Sequence, residues 1–93
     1  MSREAMKHSY LEVTYRKGRA VAAYYYLPRR DGDKSARTER VDGGLLVDLA
    51  SDGRAIGIEI SSPSRVNLTV LNELLVRLGY EPIGSQELGP LAA

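Results

Sequence analysis

The chain has 93 residues, of which 43% are hydrophobic, and its 13 Lys and Arg against 12 Asp and Glu leave a formal net charge of +1. This length predicts one domain with a small core, and the absence of Phe and Trp leaves that core to aliphatic residues and Tyr. Because the chain has no Cys, a disulfide framework, a thiolate metal site and a cysteine nucleophile are excluded.

The sequence predicts neither a secretory leader nor a membrane span. The first nine residues include basic side chains but lack the apolar run of a signal peptide, and no apolar run approaches the length of a transmembrane helix. We therefore expect a cytoplasmic protein without membrane contact. Its expected organisation is a flexible N-terminus at residues 1–8, a single domain at residues 9–88 and a tail at residues 89–93.

The charges are divided unevenly along the chain. Residues 1–40 carry ten Lys and Arg against five Asp and Glu, which sum to +5, whereas residues 41–93 carry three against seven, which sum to −4. This asymmetry indicates a basic contact surface, or complementary faces that meet in a homo-oligomer. Alternatively, neighbouring strands interleave the charges into a mixed surface.

A β-hairpin is predicted at the start of the domain, because apolar and polar residues alternate over residues 11–16. A three-residue loop at 17–19 directs the odd-numbered residues of 21–27 toward the core and pairs Val13 with Ala23. A two-residue loop buries the even-numbered residues instead. We favour the three-residue loop, because it buries the more apolar set and leaves the hydroxyl groups of the even-numbered tyrosines near water.

A second hairpin is predicted around Asp52-Gly53, which lies between two alternating apolar runs and is the strongest short-range hairpin signal in the chain. The charged loop at residues 28–34 and a short, charged edge strand at residues 35–41 precede it. The aliphatic faces of the two strands meet only if the loop has an even number of residues. The predicted pairs are Leu49 with Ile56, Val47 with Ile58 and Leu45 with Ile60.

An amphipathic helix is predicted at residues 67–79, because Leu residues recur there at helical spacing. Asn67 suits the N-cap and Gly79 the C′ position. The predicted fold is therefore α+β, an antiparallel meander of four or five strands over residues 9–61 with one C-terminal amphipathic helix packed on one face. The other face carries Leu46 and two tyrosines, enough apolar surface to indicate a dimer.

Five segments of the chain have the pattern of a known family. They are Leu11-Glu-Val-Thr-Tyr15, Ala23–Leu27, Gly44-Leu-Leu-Val-Asp48, Asp52-Gly-Arg-Ala-Ile-Gly-Ile-Glu-Ile60 and the tail from Val66 to Leu88. Together they resemble an uncharacterised prokaryotic family, domain of unknown function 2283. The resemblance covers most of residues 10–88 and implies a small β-rich domain, but no established activity, cofactor or catalytic residue. The chain departs from the family pattern at Arg16-Lys17-Gly18-Arg19 and has a longer charged loop at 28–35.

Two carboxylates are candidates for a chemical site. In the predicted register, Asp48 and Glu59 share the face opposite the aliphatic one and lie roughly 7–8 Å apart. Such a pair can flank a hydrolytic water or share a hard cation, or it can face solvent and pair with Arg40 or Arg54. Gly57 interrupts the β-branched run, and we expect a Tyr ring from an adjacent strand to pack over it.

Tyr and Arg residues form a second candidate constellation. Tyr24 and Tyr26 can stack bases, and the cations near them in sequence can neutralise phosphates, as in single-strand binders. These cations are Arg16, Lys17, Arg19, Arg29 and Arg30. Packing or dimerisation explains the same tyrosines equally well, and the chain has no RNA-binding signature and a pI of only about 8.0.

No nucleophile–base pair can be nominated, since His8 is the only His and phosphate-binding and nucleophile-elbow motifs are absent. We therefore predict a small non-enzymatic bacterial interaction module without cofactor or metal, which binds a protein partner or itself as a homo-oligomer. The alternative is a weak nucleic-acid binder that uses its Tyr/Arg surface. The predicted interaction surface comprises Tyr24, Tyr26, Arg29, Arg30, Asp48 and Glu59.

Overall fold

A computed structural model describes residues 9–41, 44–61, 63 and 68–84. Predictions that concern His8, Asn67, the N-terminus and the C-terminal tail lie outside these residues. The described part contains a five-stranded antiparallel sheet and one helix, which confirms the α+β class with a C-terminal helix. The elements are β1 (Tyr10–Arg16), β2 (Arg19–Tyr26), β3 (Arg37–Val41), β4 (Leu45–Leu49), β5 (Ala55–Ile60) and α1 (Leu68–Arg77).

The order of the strands in the sheet is β1-β2-β5-β4-β3, which corrects the expected meander. A meander is present from β3 to β5, but β2 pairs with β5 instead of with β3. The reason is burial, since β5 buries five of its six residues and takes the centre, whereas the exposed, charged β3 is suited to an edge. The prediction of a charged edge strand is confirmed.

The first hairpin has the predicted register, but its turn and a bulge in β2 differ from the prediction. Val13 pairs with Ala23 as expected, but the turn contains only two residues, Lys17 and Gly18, both with positive φ. Val21 is then an extra residue in β2, a β-bulge that restores the register. Val21 is 43% exposed, so its predicted core position is wrong, because that prediction assumed a regular strand.

The second hairpin also contains a bulge. Ala50 N–H donates to the Arg54 carbonyl at 2.8 Å, which encloses a three-residue loop that ends at Gly53 with φ 93°. The predicted even loop is therefore wrong. Ile56 is an extra residue in β5 and compensates for the odd loop, so two of the predicted pairs are kept and one is replaced. The observed pairs are Leu45 with Ile60, Val47 with Ile58 and Leu49 with Ala55.

The helix covers one face of the sheet, which we call the helix side; the opposite face is the far face. Apolar side chains from three strands (β2, β4 and β5), from α1 and from the segments after β2 and α1 form one core cluster there. The largest contributions come from Leu and Ile side chains that are fully buried. The cluster comprises Ala23, Leu27, Leu45, Val47, Leu49, Ala55, Ile58, Ile60, Leu71, Leu74, Leu75 and Ile83.

The C-terminal end of α1 has the predicted glycine cap. Gly79 has φ 90°, and its N–H donates to the Val76 carbonyl at 3.0 Å, while Tyr80 N–H donates to the Leu75 carbonyl at 2.8 Å. These two bonds form a Schellman motif, which satisfies carbonyls at the helix end. The chain then turns back, and the Tyr80 side chain packs against the core cluster.

Candidate interaction surface

Tyr24 and Asp48 meet on the far face of the sheet. The Tyr24 hydroxyl donates to Oδ2 of Asp48 at 2.6 Å, and the Thr38 hydroxyl donates to Oδ1 at 2.6 Å. Burial and the neighbouring Asp48 carboxylate raise the pKa of Tyr24 well above its usual range, because an ionised phenol would lie half-buried beside a second negative charge. Donors from β2 and β3 thus occupy both oxygens of a carboxylate on β4.

Gly57 makes this contact possible. It belongs to β5, which lies between β2 and β4, and it pairs with Asp48 on one side and Tyr26 on the other. A Cβ atom at this position would overlap the ring and the hydroxyl group of Tyr24. The prediction that a Tyr ring packs over Gly57 is confirmed.

The aromatic contacts continue to the edge of the sheet. The rings of Tyr24 and Tyr26 meet edge to face with centroids 4.6 Å apart, and Tyr26 stacks on Tyr10 of β1 at 4.4 Å. The Tyr26 hydroxyl donates to Glu12 Oε1 at 3.0 Å, and this bond is the main reason that the pKa of Tyr26 is raised. A row of contacts therefore crosses the whole sheet; we call it the tyrosine row, and its members are Tyr10, Tyr26, Tyr24, Asp48 and Thr38.

The two arginines of the predicted surface have different environments. The Arg29 guanidinium lies 5.5 Å from the centroid of the Tyr26 ring and donates to the Ile56 carbonyl at 2.8 Å. The Arg30 side chain is exposed, and its backbone N–H donates to Asp33 Oδ2 at 2.8 Å. Arg29 is thus packed against the sheet, whereas Arg30 belongs to the surface loop.

Glu59 lies on the far face, exposed, between Tyr24 of β2 and Leu46 of β4. With Glu12 it lines an open depression of about 180 Å³ beside Tyr24. Asp48 does not line this depression, and its two oxygens accept the hydroxyl bonds already described. Within residues 9–41, 44–61, 63 and 68–84, no group of three or more His, Cys, Asp or Glu side chains is placed to hold a metal ion.

Arg54 has a structural role that explains the Asp-Gly-Arg sequence. Its Nε donates to Asp52 at 2.7 Å, and its two terminal nitrogens donate to the two carboxylate oxygens of Asp33 at 2.7 and 3.0 Å. Hydrogen bonds from Arg54 lower the pKa of both carboxyl groups. Arg54 therefore joins the 30–33 loop to the second hairpin and pairs with neither Asp48 nor Glu59.

Exposed apolar side chains concentrate on the first hairpin. Four large hydrophobic residues are exposed in the described part of the chain; Val76 lies on α1, and Tyr10, Tyr15 and Val21, 43–49% exposed, belong to β1 and β2. β1 has seven residues and pairs only with β2 among the described strands. We call β1 with Val21 the β1 edge surface. Sequence reasoning missed it, because the bulge that exposes Val21 has no local signal.

The β1 edge surface also contains an unfavourable charge pair. Arg16 of β1 lies directly opposite Arg19 of β2, and both side chains are exposed. Like charges in directly opposed positions destabilise a strand pair. Neither arginine forms an ion pair with any residue that the structure describes. The first hairpin therefore presents uncompensated positive charge at the end of an edge strand.

The described helix is too short and not apolar enough to cross a membrane. No family model matches the chain, and comparisons with curated proteins and with solved structures give no significant match either. The resemblance to domain of unknown function 2283 stays a prediction. The geometry itself defines an α+β domain whose far face carries the tyrosine row and whose edge strand β1 is largely exposed.

Proposed function

We propose that this chain is a small, non-enzymatic, cytoplasmic interaction module that binds a protein partner through the β1 edge surface. The observation that carries the proposal is that β1 pairs only with β2 among the described strands and that two of its side chains, Tyr10 and Tyr15, are about half exposed, one on each face of the sheet. An edge strand offers backbone donors and acceptors to another strand, and adjacent apolar side chains supply the burial that stabilises such an addition.

The tyrosine row supports this function by holding β1 in place. Tyr10 stacks on Tyr26, and Glu12 accepts the Tyr26 hydroxyl bond, so two side chains of β1 are fixed to its neighbour. A strand that is ordered before binding loses less conformational entropy when its partner arrives. In this proposal Tyr24, Tyr26 and Asp48 act as the support of the contact surface, and the partner contacts β1 itself.

Nucleic-acid binding is less favoured by the same geometry. Three carboxylates, those of Glu12, Asp48 and Glu59, lie on the far face beside the tyrosines. A phosphate backbone would be repelled there, whereas nucleic-acid sites are typically basic. Arg29, the cation nearest to the rings, is packed between Tyr26 and a backbone carbonyl.

The test is affinity purification from the native host at endogenous expression, with RNA retained. We compare the unmodified chain with Tyr15→Lys, which alters β1 itself, and with Val76→Lys, the same introduced charge at an exposed apolar residue on α1. The proposal expects a protein that is recovered by the unmodified chain and by Val76→Lys and is lost with Tyr15→Lys.

Two results would overturn the proposal. The first is recovery of the same protein by both variants, which would place the contact elsewhere. The second is a monomer by light scattering with no recovered protein and with low-salt binding to single-stranded RNA or DNA that falls in Tyr24→Ala. That outcome would establish the nucleic-acid alternative, because it requires the tyrosines themselves to contact bases.

A further inference from the structure

We propose that the partner of the β1 edge surface is a second copy of this chain, with the two β1 strands paired antiparallel about a two-fold axis at Thr14. The inference rests on the proposed function and names its partner. Such pairing joins two five-stranded sheets into one continuous sheet. The inference is supported by the side chains of β1, which form favourable pairs with those of a second β1 in this register.

The charges of β1 are self-complementary about Thr14. Its only charged residues, Glu12 and Arg16, lie two positions on either side of Thr14, and all three share the far face by strand alternation. Antiparallel pairing about Thr14 therefore places Glu12 of each copy directly opposite Arg16 of the other. Opposite charges in such positions stabilise a strand pair. A register centred on Val13 places Glu12 opposite Thr14 and loses both charge pairs.

The helix-side residues of β1 match in the same register. Val13 of each copy faces Tyr15 of the other, a pair of a β-branched and an aromatic side chain that stabilises antiparallel strands. Tyr15 is 47% exposed in the single chain, and its ring would be covered across the axis. Favourable pairs therefore form on both faces of the sheet.

The second copy also compensates the charge pair of the first hairpin. Arg16 faces Arg19 within one chain, and the Glu12 of the other copy would contact Arg16 from the opposite side. Arg16 would then lie between Arg19 of its own chain and Glu12 of the other copy. A partner that supplies a carboxylate would neutralise the positive end of the hairpin. The Glu12 side chain on β1 of the second copy is such a carboxylate.

The symmetry makes the assembly closed. A two-fold axis perpendicular to the sheet leaves both α1 helices on one side and removes both β1 edges. The remaining edges are the two β3 strands, which carry Arg37, Glu39 and Arg40 and are short. Charged, short edges resist further strand addition. We therefore expect a dimer and no filament.

Disulfide trapping tests the register, because the chain has no Cys. Opposed Cα atoms in antiparallel strands lie about 4.5–5.5 Å apart, a separation that a disulfide spans. We expect Thr14→Cys to give a covalent dimer under mild oxidation. Ala22→Cys is the matched control, because Ala22 pairs with Thr14 but its two copies would lie three strand spacings, about 14 Å, apart, so no covalent dimer should form.

Charge reversal tests the pairing in solution. Light scattering and sedimentation should give the mass of two chains, and Arg16→Glu should weaken the dimer about tenfold. This variant converts Arg16–Arg19 into an opposite-charge pair, so the single chain keeps its fold, which a thermal melt checks. Adding Glu12→Arg to Arg16→Glu restores the charge match and should restore the dimer. Because Glu12→Arg also removes the acceptor of the Tyr26 hydroxyl bond, Tyr26→Phe, which loses the same bond and keeps both charges, is the control and should remain a dimer. Arg37→Glu at the other edge should have no effect on the mass.

The outcomes separate this inference from the proposed function. A monomer that still recovers a different protein through the β1 edge surface overturns the second-copy inference and leaves the function intact. A monomer that recovers nothing overturns both. The pairing about Thr14 is overturned if Arg16→Glu leaves the dimer as strong as before, or if the double variant does not restore it.

Discussion

The hydroxyl group of Tyr24 lies 2.6 Å from Oδ2 of Asp48, although β5 runs between the two strands that carry them. The contact passes over Gly57, where a side chain would occupy the space of the Tyr24 ring. A glycine in the centre of a sheet usually weakens it. Here the missing side chain allows one hydrogen bond to span three strands, and this bond anchors the tyrosine row that holds β1.

Gly57→Ala should destabilise the domain by about 2–3 kcal/mol, because the added methyl group displaces the Tyr24 ring and breaks its bond to Asp48. Urea unfolding measures the change in the free energy of unfolding. In a Tyr24→Ala background the space is open, so Gly57→Ala should cost nothing or stabilise slightly through its better strand propensity. An equal cost in both backgrounds would show that the Tyr24 ring is not the obstacle.

The sequence predicts which residues of the hairpins face the core, but not the loops that place them there. Alternation of apolar residues indicates the aliphatic faces of β4 and β5 correctly, since a slip of one residue would expose them. The Ile56 bulge has no such local signal. Its carbonyl accepts hydrogen bonds from Leu27 N–H at 3.2 Å and from Arg29 at 2.8 Å, residues that are distant in sequence.

The sequence likewise predicts one part of the candidate site and not the other. A ring over Gly57 is predictable, because a glycine within a β-branched run indicates close approach by another group. The bond from Tyr24 to Asp48 depends on β2 lying beside β5, a long-range pairing. Local patterns carry no information about that neighbour. The exposure of Val21 likewise follows from a bulge, and the β1 edge surface becomes apparent only in three dimensions.

The raised pKa of Tyr24 predicts a loss of stability at alkaline pH. The neutral phenol is favoured in the fold, so its stabilisation is fully present below the ordinary pKa of 10.0 and is lost as the pH rises above that value. Tyr24→Phe should cost about 1 kcal/mol at neutral pH and should show a shallower alkaline decline. Urea midpoints on both sides of the ordinary pKa measure both effects. Parallel declines would contradict the assignment to Tyr24.

Arg54 should make stability sensitive to acid. It lowers the pKa of Asp33 and Asp52 below the ordinary 3.8, so the stabilisation is present above that value and is lost as the pH falls through the lowered pKa values. We expect Arg54→Met to reduce stability at neutral pH and to flatten its acid dependence, as measured by urea midpoints between neutral pH and about pH 3.

Arg37→Met is the control for Arg54→Met. It removes an ion pair to Glu39 in which both side chains are more than half exposed, and such pairs contribute little. The side chain of Asp33 is only 10% exposed in its pair with Arg54. If the acid dependence of the urea midpoint changes as much in Arg37→Met as in Arg54→Met, the ion pairs of Arg54 have no specific role.

Arg29 and Arg30 are adjacent in sequence and should differ sharply in their effect on stability. Arg29→Ala removes the contact with Tyr26 and the hydrogen bond to the Ile56 carbonyl, which together predict a cost of about 2 kcal/mol. Arg30→Ala removes an exposed side chain and should stay within about 0.5 kcal/mol of the unmodified protein. Chemical denaturation of the two variants measures this difference. Equal costs would mean that Arg29 does not stabilise the bulge, and the second hairpin would then need another explanation for its register.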